Sequence, residues 1–285
     1  MRKEALVSIL ICTYNAEKTI KQTIDSCLNQ TYQYFEILIH DDQSQDKTID
    51  VVKDIWDDRI RIIDSWKKLW PYKWLNFLMV HAKWKYIAIQ DHDDLWYPTK
   101  IEKQVKFLEK NEKYVGCWTK TLMWYEWDNK WFEYYLGKEN YYTLHPSLMF
   151  KNDWYRYPDR VYMNDAYFQK KILCKGKNLI WNIDETLTVH RIKKWAENYS
   201  YRWFKFTLQN FKTIFELHSV WYWCLCIWFE TLRKLVYPVL HWIKKDEWID
   251  MIERIPFRLK EMRIVHIELV NDWCDWKLGW IMFWE

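Results

Sequence analysis

The chain has 285 residues, a formal net charge of +4 and 50% hydrophobic residues, length enough for one large domain or one domain with an appendage. Its lysines and arginines are spread rather than striped, so no nucleic-acid partner is expected. The seven cysteines are odd in number and form no C-x-x-C pair, which argues against a disulfide framework or a zinc site and for free thiols in the cytoplasm.

Met1-Arg2-Lys3-Glu4 leads straight into an apolar run, so no secretory signal is expected. Leu6 to Cys12 reads as a first strand, followed by Thr13-Tyr14-Asn15. Asn15 is a good N-cap residue, and Ile20, Ile24, Cys27 and Leu28 recur after it at helical spacing. Phe35 to His40 reads as a second strand and runs into Asp41-Asp42-Gln43-Ser44-Gln45-Asp46. Asp46 is placed to cap a second helix marked by Ile49, Val52 and Ile55. Lys85 to Gln90 is a short buried strand ending in Asp91-His92-Asp93-Asp94. This alternation predicts a mostly parallel sheet covered by helices on both faces. In such sheets ligands bind at the carboxyl ends of the strands, so Tyr14, Asp42 and the Asp91–Asp94 cluster are expected to face one cleft.

Three carboxylates within four residues raise one another's pKa values unless a cation sits among them. Oxygen ligands suit a hard ion such as Mg²⁺ or Mn²⁺, which keeps positions open for phosphate oxygens. A solvated acidic turn is the plain alternative; the convergence with Tyr14 and Asp42 favours the site. Further on, Asn164-Asp165-Ala166-Tyr167-Phe168 opens a helix that runs to Lys175 before a C-capping Gly176. Asp165 there is either a first-turn carboxylate favoured by the helix dipole or a functional one.

From residue 199 the pattern turns helical, with Tyr199 to Leu217 and Trp221 to Ile243 as helices and Pro238 as a break. This predicts a first domain over 1–198 and a helical region over 199–285. Val220 to Phe229 is apolar but shorter than the about 20 residues that span a bilayer. Arg233, Lys234, Lys244 and Lys245 follow it, which admits a peripheral helix at the inner face of a membrane, although a tail helix buried against the sheet is preferred.

Several motifs in order resemble the family 2 inverting glycosyltransferases, whose fold is the α/β, Rossmann-like GT-A fold. Val7-Ser8-Ile9-Leu10-Ile11-Cys12-Thr13-Tyr14-Asn15 is similar to the family's opening V-S-I-x-x-x-T-Y-N. Gln30-Thr31-Tyr32 with Phe35-Glu36-Ile37 resembles its Q-T-Y/F-x-x-x-E-I, and Asp41-Asp42-Gln43-Ser44-Gln45-Asp46 its D-D-G-S-x-D. The block from Ala82 through Asp91, Asp93 and Asp94 to Pro98 resembles the surroundings of its D-x-D motif, and the match extends over roughly residues 5 to 195.

The resemblance implies transfer of a sugar from a nucleotide-diphosphate donor to a glycan or lipid-linked acceptor, with Mn²⁺ or Mg²⁺ as cofactor, in polysaccharide synthesis. It implies that Thr13, Tyr14, Asn15 and Asp42 hold the nucleotide, Tyr14 by stacking and Asp42 by accepting a ring N–H. It makes Asp93 the foremost metal ligand, with Asp91 at the ribose or the metal, and Asp165 the general base, although Asn164 stands where Glu is usual. Leu187-Thr188-Val189-His190-Arg191-Ile192 resembles the family's L-x-x-Y-R-x-H, with His190 in the place of Tyr and Lys193 near the place of His. That segment offers His190 to the metal and Arg191 to the diphosphate, beside a purely structural role for His190. The competing classes are a sugar nucleotidyltransferase, which needs a glycine-rich phosphate loop not visible between Cys12 and Lys21, and a non-catalytic glycan-binding scaffold.

Four glycines against 23 tryptophans is abnormal, since about 7% glycine is usual. Trp70, Trp84, Trp154 and Trp195 stand where turns call for glycine, which suggests that UGA codons read as glycine in the source organism underlie them. Trp96, in contrast, fits the family as a genuine tryptophan. A tryptophan-rich protein with an aromatic sugar platform is the alternative.

Overall fold

A computed structural model describes residues 6–69, 72–126, 129–134, 139–140, 143–159, 164–177 and 179–192. The predicted helical region over 199–285, its apolar and basic segments, the boundary at 198, and Trp70 and Trp195 lie outside the described residues.

The chain runs β1 (Val7–Thr13), α1 (Ile20–Leu28), β2 (Phe35–Asp41), α2 (Thr48–Lys53), β3 (Ile60–Ile62), α3 (Lys73–His81), β4 (Tyr86–Asp91) and β5 (Leu95–Trp96). It continues through α4 (Lys100–Lys110), β6 (Gly116–Tyr125), β7 (Lys130–Tyr134), β8 (Glu139–Asn140), β9 (Met149–Lys151), α5 (Asn164–Tyr167) and β10 (Ile180–Ile192). The strands form one sheet in the order β3-β2-β1-β4-β9-β6-β10-β5, with β7 on β6 and β8 on β10.

The first half of the sheet follows the predicted parallel pattern: β1 pairs with β2 and β4, and β2 with β3, all in parallel. The second half does not. The short β9 inserts antiparallel between β4 and β6, and β5 closes antiparallel on β10, so the sheet is mixed. The insertion depends on Gly116, where a Cβ would lie 2.8 Å from the Met149 carbonyl oxygen.

Burial on both faces explains why the strands read as continuous apolar runs. Val7, Ile9 and Ile11 of β1 share one core with Ile20, Ile24 and Cys27 of α1. The alternating Leu10 and Cys12 share the other with Leu75, Leu78 and Met79 of α3. Cys12, Cys27, Cys117 and Cys174 are free and buried.

Two local expectations change. Asn15 does not cap α1, which begins at Ile20 after Thr19. Instead Asn15 adopts φ 50°, because neighbouring bonds draw this turn towards the loop after β2 before the helix starts. The helix opening at Asn164 is α-helical only to Tyr167 and widens into a π-turn over Phe168–Leu173. There the Cys174 amide reaches back to the Gln169 carbonyl at 2.9 Å, while the Gln169 side chain is held by the Thr143 backbone. Gly176 closes this segment at φ 77°, its amide donating to the Lys170 carbonyl at 2.7 Å.

Candidate active site

The loops after β1 and β2 are joined into one unit. The Asn15 amide donates to Ser44 Oγ at 2.9 Å, and Asn15 Oδ1 accepts the Gln45 amide at 2.8 Å. The Ala16 amide donates to Thr48 Oγ1 at 2.7 Å, and the Asp46 carboxylate accepts the amides of both Glu17 and Thr48. The N-cap of α2 is Lys47 rather than Asp46, whose carboxylate instead ties the turn before the helix to the neighbouring loop. Gln43 holds φ 64° in this turn, the place of the glycine in D-D-G-S. Thr13 is fully buried, and its hydroxyl makes no hydrogen bond among the described residues.

Asp42 is buried at the end of β2, with its amide on the Thr13 carbonyl at 2.9 Å. Burial raises its pKa, against the opposing pull of the Leu69 amide, His40 and Lys68. The Leu69 amide donates to Asp42 Oδ1, and the Lys68 ammonium lies over the Tyr14 ring, 4.3 Å from its centroid. The segment before α3 therefore engages both side chains expected to read a base.

At the end of β4 the acidic cluster meets β10. Asp94 is fully buried; its Oδ2 accepts His190 Nδ1 at 2.8 Å and its Oδ1 accepts the Arg191 amide at 2.8 Å. Asp91, Asp94 and His190 each place a ligand atom within 4.8 Å of the others. Burial, then the charges of Asp94 and Asp93, push Asp91 up to about 8. Burial alone would lower His190, but Asp94 beside it, then Asp91 and Asp93, raise it to about 9. This concentration of negative charge with an imidazole fits a divalent cation such as Mn²⁺ or Mg²⁺. Asp91 and His190 come together as expected, with Asp94 rather than Asp93 as the third member of the tight group. Asp93 is nonetheless near enough to act on all three.

Asp165 also raises Asp91, which puts the α5 carboxylate within electrostatic reach of the cluster. The Arg191 side chain is held by protein groups. Its guanidinium donates to Gln22 Oε1 at 2.8 Å and Glu126 Oε1 at 3.3 Å, and lies over the Trp124 ring at 4.8 Å. His92 meets the Cys12 carbonyl at 3.3 Å instead of joining the trio. Two features escaped sequence reading: the grip of Asp94 on β10, signalled only by a third carboxylate in the run, and the approach of Lys68 and Leu69, for which no local pattern gives a sign.

The sequence pattern described as Glycosyl transferase family 2 matches residues 8–171. The UDP-Glc:alpha-D-GlcNAc-diphosphoundecaprenol beta-1,3-glucosyltransferase WfaP of Escherichia coli is 41% identical over 111 residues, 39% of this chain and 44% of the relative. A protein of the same description from that species, WfgD, is 38% identical over 106 residues, 37% of this chain and 42% of the relative. The matches thus span less than half the length of these curated relatives. Among solved structures, S. aureus TarS 1-349 in complex with UDP superposes with a TM-score of 0.55 at 17% identity, over 66% of this chain and 60% of that one. Mannosyltransferase PcManGT from Pyrobaculum calidifontis in complex with GDP-Man and Mn²⁺ gives 0.54 at 17% identity, over 68% and 59%. Both share the α/β, GT-A arrangement of a mixed sheet with helices. With its motifs in order and the family pattern spanning more than half its length, the chain belongs to glycosyl transferase family 2.

Proposed function

We propose that the protein transfers a sugar, with inversion, from a nucleoside-diphosphate donor to an acceptor hydroxyl, and that the transfer depends on Mn²⁺ or Mg²⁺. The observation that carries this reading is the assembly of Asp91, Asp94 and His190 into one charged group at the strand ends that also bear Tyr14 and Asp42. UDP-glucose is the first donor to try, and a sugar on a polyprenyl diphosphate the first acceptor, because WfaP and WfgD are named for those substrates. A lipid-linked acceptor would bring the protein to a membrane surface. Among the described residues no helix is long and apolar enough to cross one.

Tyr14 stacks on the base, and Asp42 exchanges the Leu69 amide for a ring N–H of that base. Thr13 and Asn15 shape the floor of this slot. Asp91, Asp93 and His190 hold the cation, which when bound supplies the counter-charge for the departing diphosphate. Asp165 takes the proton from the acceptor hydroxyl as its oxygen attacks the anomeric carbon opposite the leaving group. This machinery lies within the proposed catalytic domain over 1–198.

The test is a screen of nucleotide sugars with a polyprenyl-diphosphate-linked acceptor, with and without Mn²⁺. Release of nucleoside diphosphate coupled to product supports the reading. Pyrophosphate release indicates a nucleotidyltransferase, and glycan binding without turnover a scaffold.

A further inference from the structure

Resting on the donor-and-cation reading above, we propose that Asp94 is a positioning residue: it fixes His190 as an Nδ1 donor, so that Nε2 offers its lone pair to the cation. Every polar group of Asp94 is engaged by the protein. Its amide meets the Asp91 carbonyl at 3.3 Å, and its carbonyl accepts Gln90 Nε2 at 2.9 Å and Thr23 Oγ1 at 3.0 Å. Its carboxylate oxygens are divided between His190 Nδ1 and the Arg191 amide, both at 2.8 Å, and the residue has no exposed surface. Both oxygens thus already serve β10, which leaves Asp94 the task of orienting an imidazole. A carboxylate behind a histidine fixes the ring's tautomer and direction.

An asparagine in this place cannot serve both partners. If its amide nitrogen faces His190, the proton moves to Nε2 and the lone pair facing the cation is lost. If its oxygen faces His190, its NH₂ is set against the Arg191 N–H, donor against donor.

The experiment measures Mn²⁺ affinity by calorimetry in the presence of UDP, for the full chain, Asp94→Asn, His190→Gln and the double variant. Asp94→Asn should weaken Mn²⁺ by about 10- to 100-fold, the usual effect of losing such a partner. On the His190→Gln background it should change little, because a residue acting through His190 has nothing left to position. A direct ligand would instead cost affinity on both backgrounds, which overturns the proposal. So does an Asp94→Asn variant that binds as tightly as the parent. A parent that takes up no Mn²⁺ with UDP overturns the donor-and-cation reading together with this one. Should Asp94→Asn fail to fold, nitrogen NMR of His190 in the Mg²⁺–UDP complex decides: protonated Nδ1 supports the assignment and protonated Nε2 overturns it.

A separate observation carries a second inference. The geometry points to glycine at positions 66 and 154 in the protein as its source organism makes it. Trp66 at φ 56° and Trp154 at φ 53° lie in the left-handed region, which a bulky side chain occupies only under strain. Their indoles gain little in return, being 87% and 81% exposed. Trp84, at the turn into β4, buries an indole nitrogen that makes no hydrogen bond among the described residues. Trp96 behaves as a genuine tryptophan should, buried with Nε1 donating to the Pro146 carbonyl at 2.8 Å. Peptide masses of the native protein across positions 66 and 154 decide: glycine supports codon reassignment and tryptophan overturns it. In recombinant protein, Trp66→Gly and Trp154→Gly should each raise Tm by about 2–4 °C, the shift expected for relieving one such residue in a chain of this size; a fall in both overturns the strain reading.

Discussion

The Lys68 ammonium sits over the ring of Tyr14 at 4.3 Å from its centroid, and the next residue, Leu69, gives its amide to Asp42. The chain itself therefore occupies the aromatic face and the carboxylate that the donor reading assigns to a base. A base entering the slot has to displace these contacts.

Tyr14→Ala should weaken UDP binding by about 1–3 kcal/mol, the range for stacking a base on an aromatic ring. Calorimetry without metal isolates this effect. Hydrogen exchange gives a companion reading: the Leu69 amide should exchange faster once UDP takes over Asp42. An amide equally protected in the complex would show that the base binds elsewhere.

Asp93→Ala should abolish the part of nucleoside-diphosphate affinity that depends on Mn²⁺, because the carboxylate expected to face the ion is gone. Titrations with and without Mn²⁺ check it, and an unchanged metal-dependent increment would remove Asp93 from the ligand set.

Asp165→Asn should preserve donor binding and reduce transfer by about 10²- to 10⁴-fold, the usual contribution of a general base. The amide keeps the volume of the carboxylate but takes no proton. Wild-type turnover with a true acceptor would move the base to another carboxylate, with Asp159 or Asp153 next to be tried.

Lys100 is fully buried, its ammonium 2.9 Å from Gln104 Oε1 and 3.8 Å from the Trp96 ring centroid, and burial lowers its pKa to about 7. Between about 7 and the ordinary lysine value near 10.4, the unfolded chain holds a proton that the folded chain has released. The Lys100 contribution to stability therefore grows as pH rises through that window and is lost as pH falls through about 7. Lys100→Met should flatten this slope, so that its stability relative to the parent is greatest at pH 7 and declines by pH 9. Paired thermal melts at the two values test the sign.

The parallel half of the fold was legible because its signals are local. Strands β1, β2 and β4 are apolar on both faces, and Ile20, Ile24 and Cys27 mark the buried stripe of α1. The antiparallel insertion of β9 was not legible, since three residues carry no readable period and their pairing is settled by the long-range fit of Met149 against Gly116. At the site, Asp91, Asp93 and Asp165 stood out as carboxylates at element ends. The task of Asp94 depends on residues almost a hundred positions away, and the engagement of Arg191 by Gln22 and Glu126 is equally non-local. Asn15 misled because a residue suited to capping also suits a left-handed turn, and bonding to the neighbouring loop decided between them.

The family pattern ends at residue 171, yet the partners of the buried Asp94 carboxylate come from β10, well beyond it. A fragment cut at that boundary would keep the carboxylate and lose both of its donors. An interior charge stripped of its partner costs about 3–5 kcal/mol, a large share of the stability of an ordinary domain. The recognisable family segment thus stops short of a strand on which one of its own buried carboxylates depends.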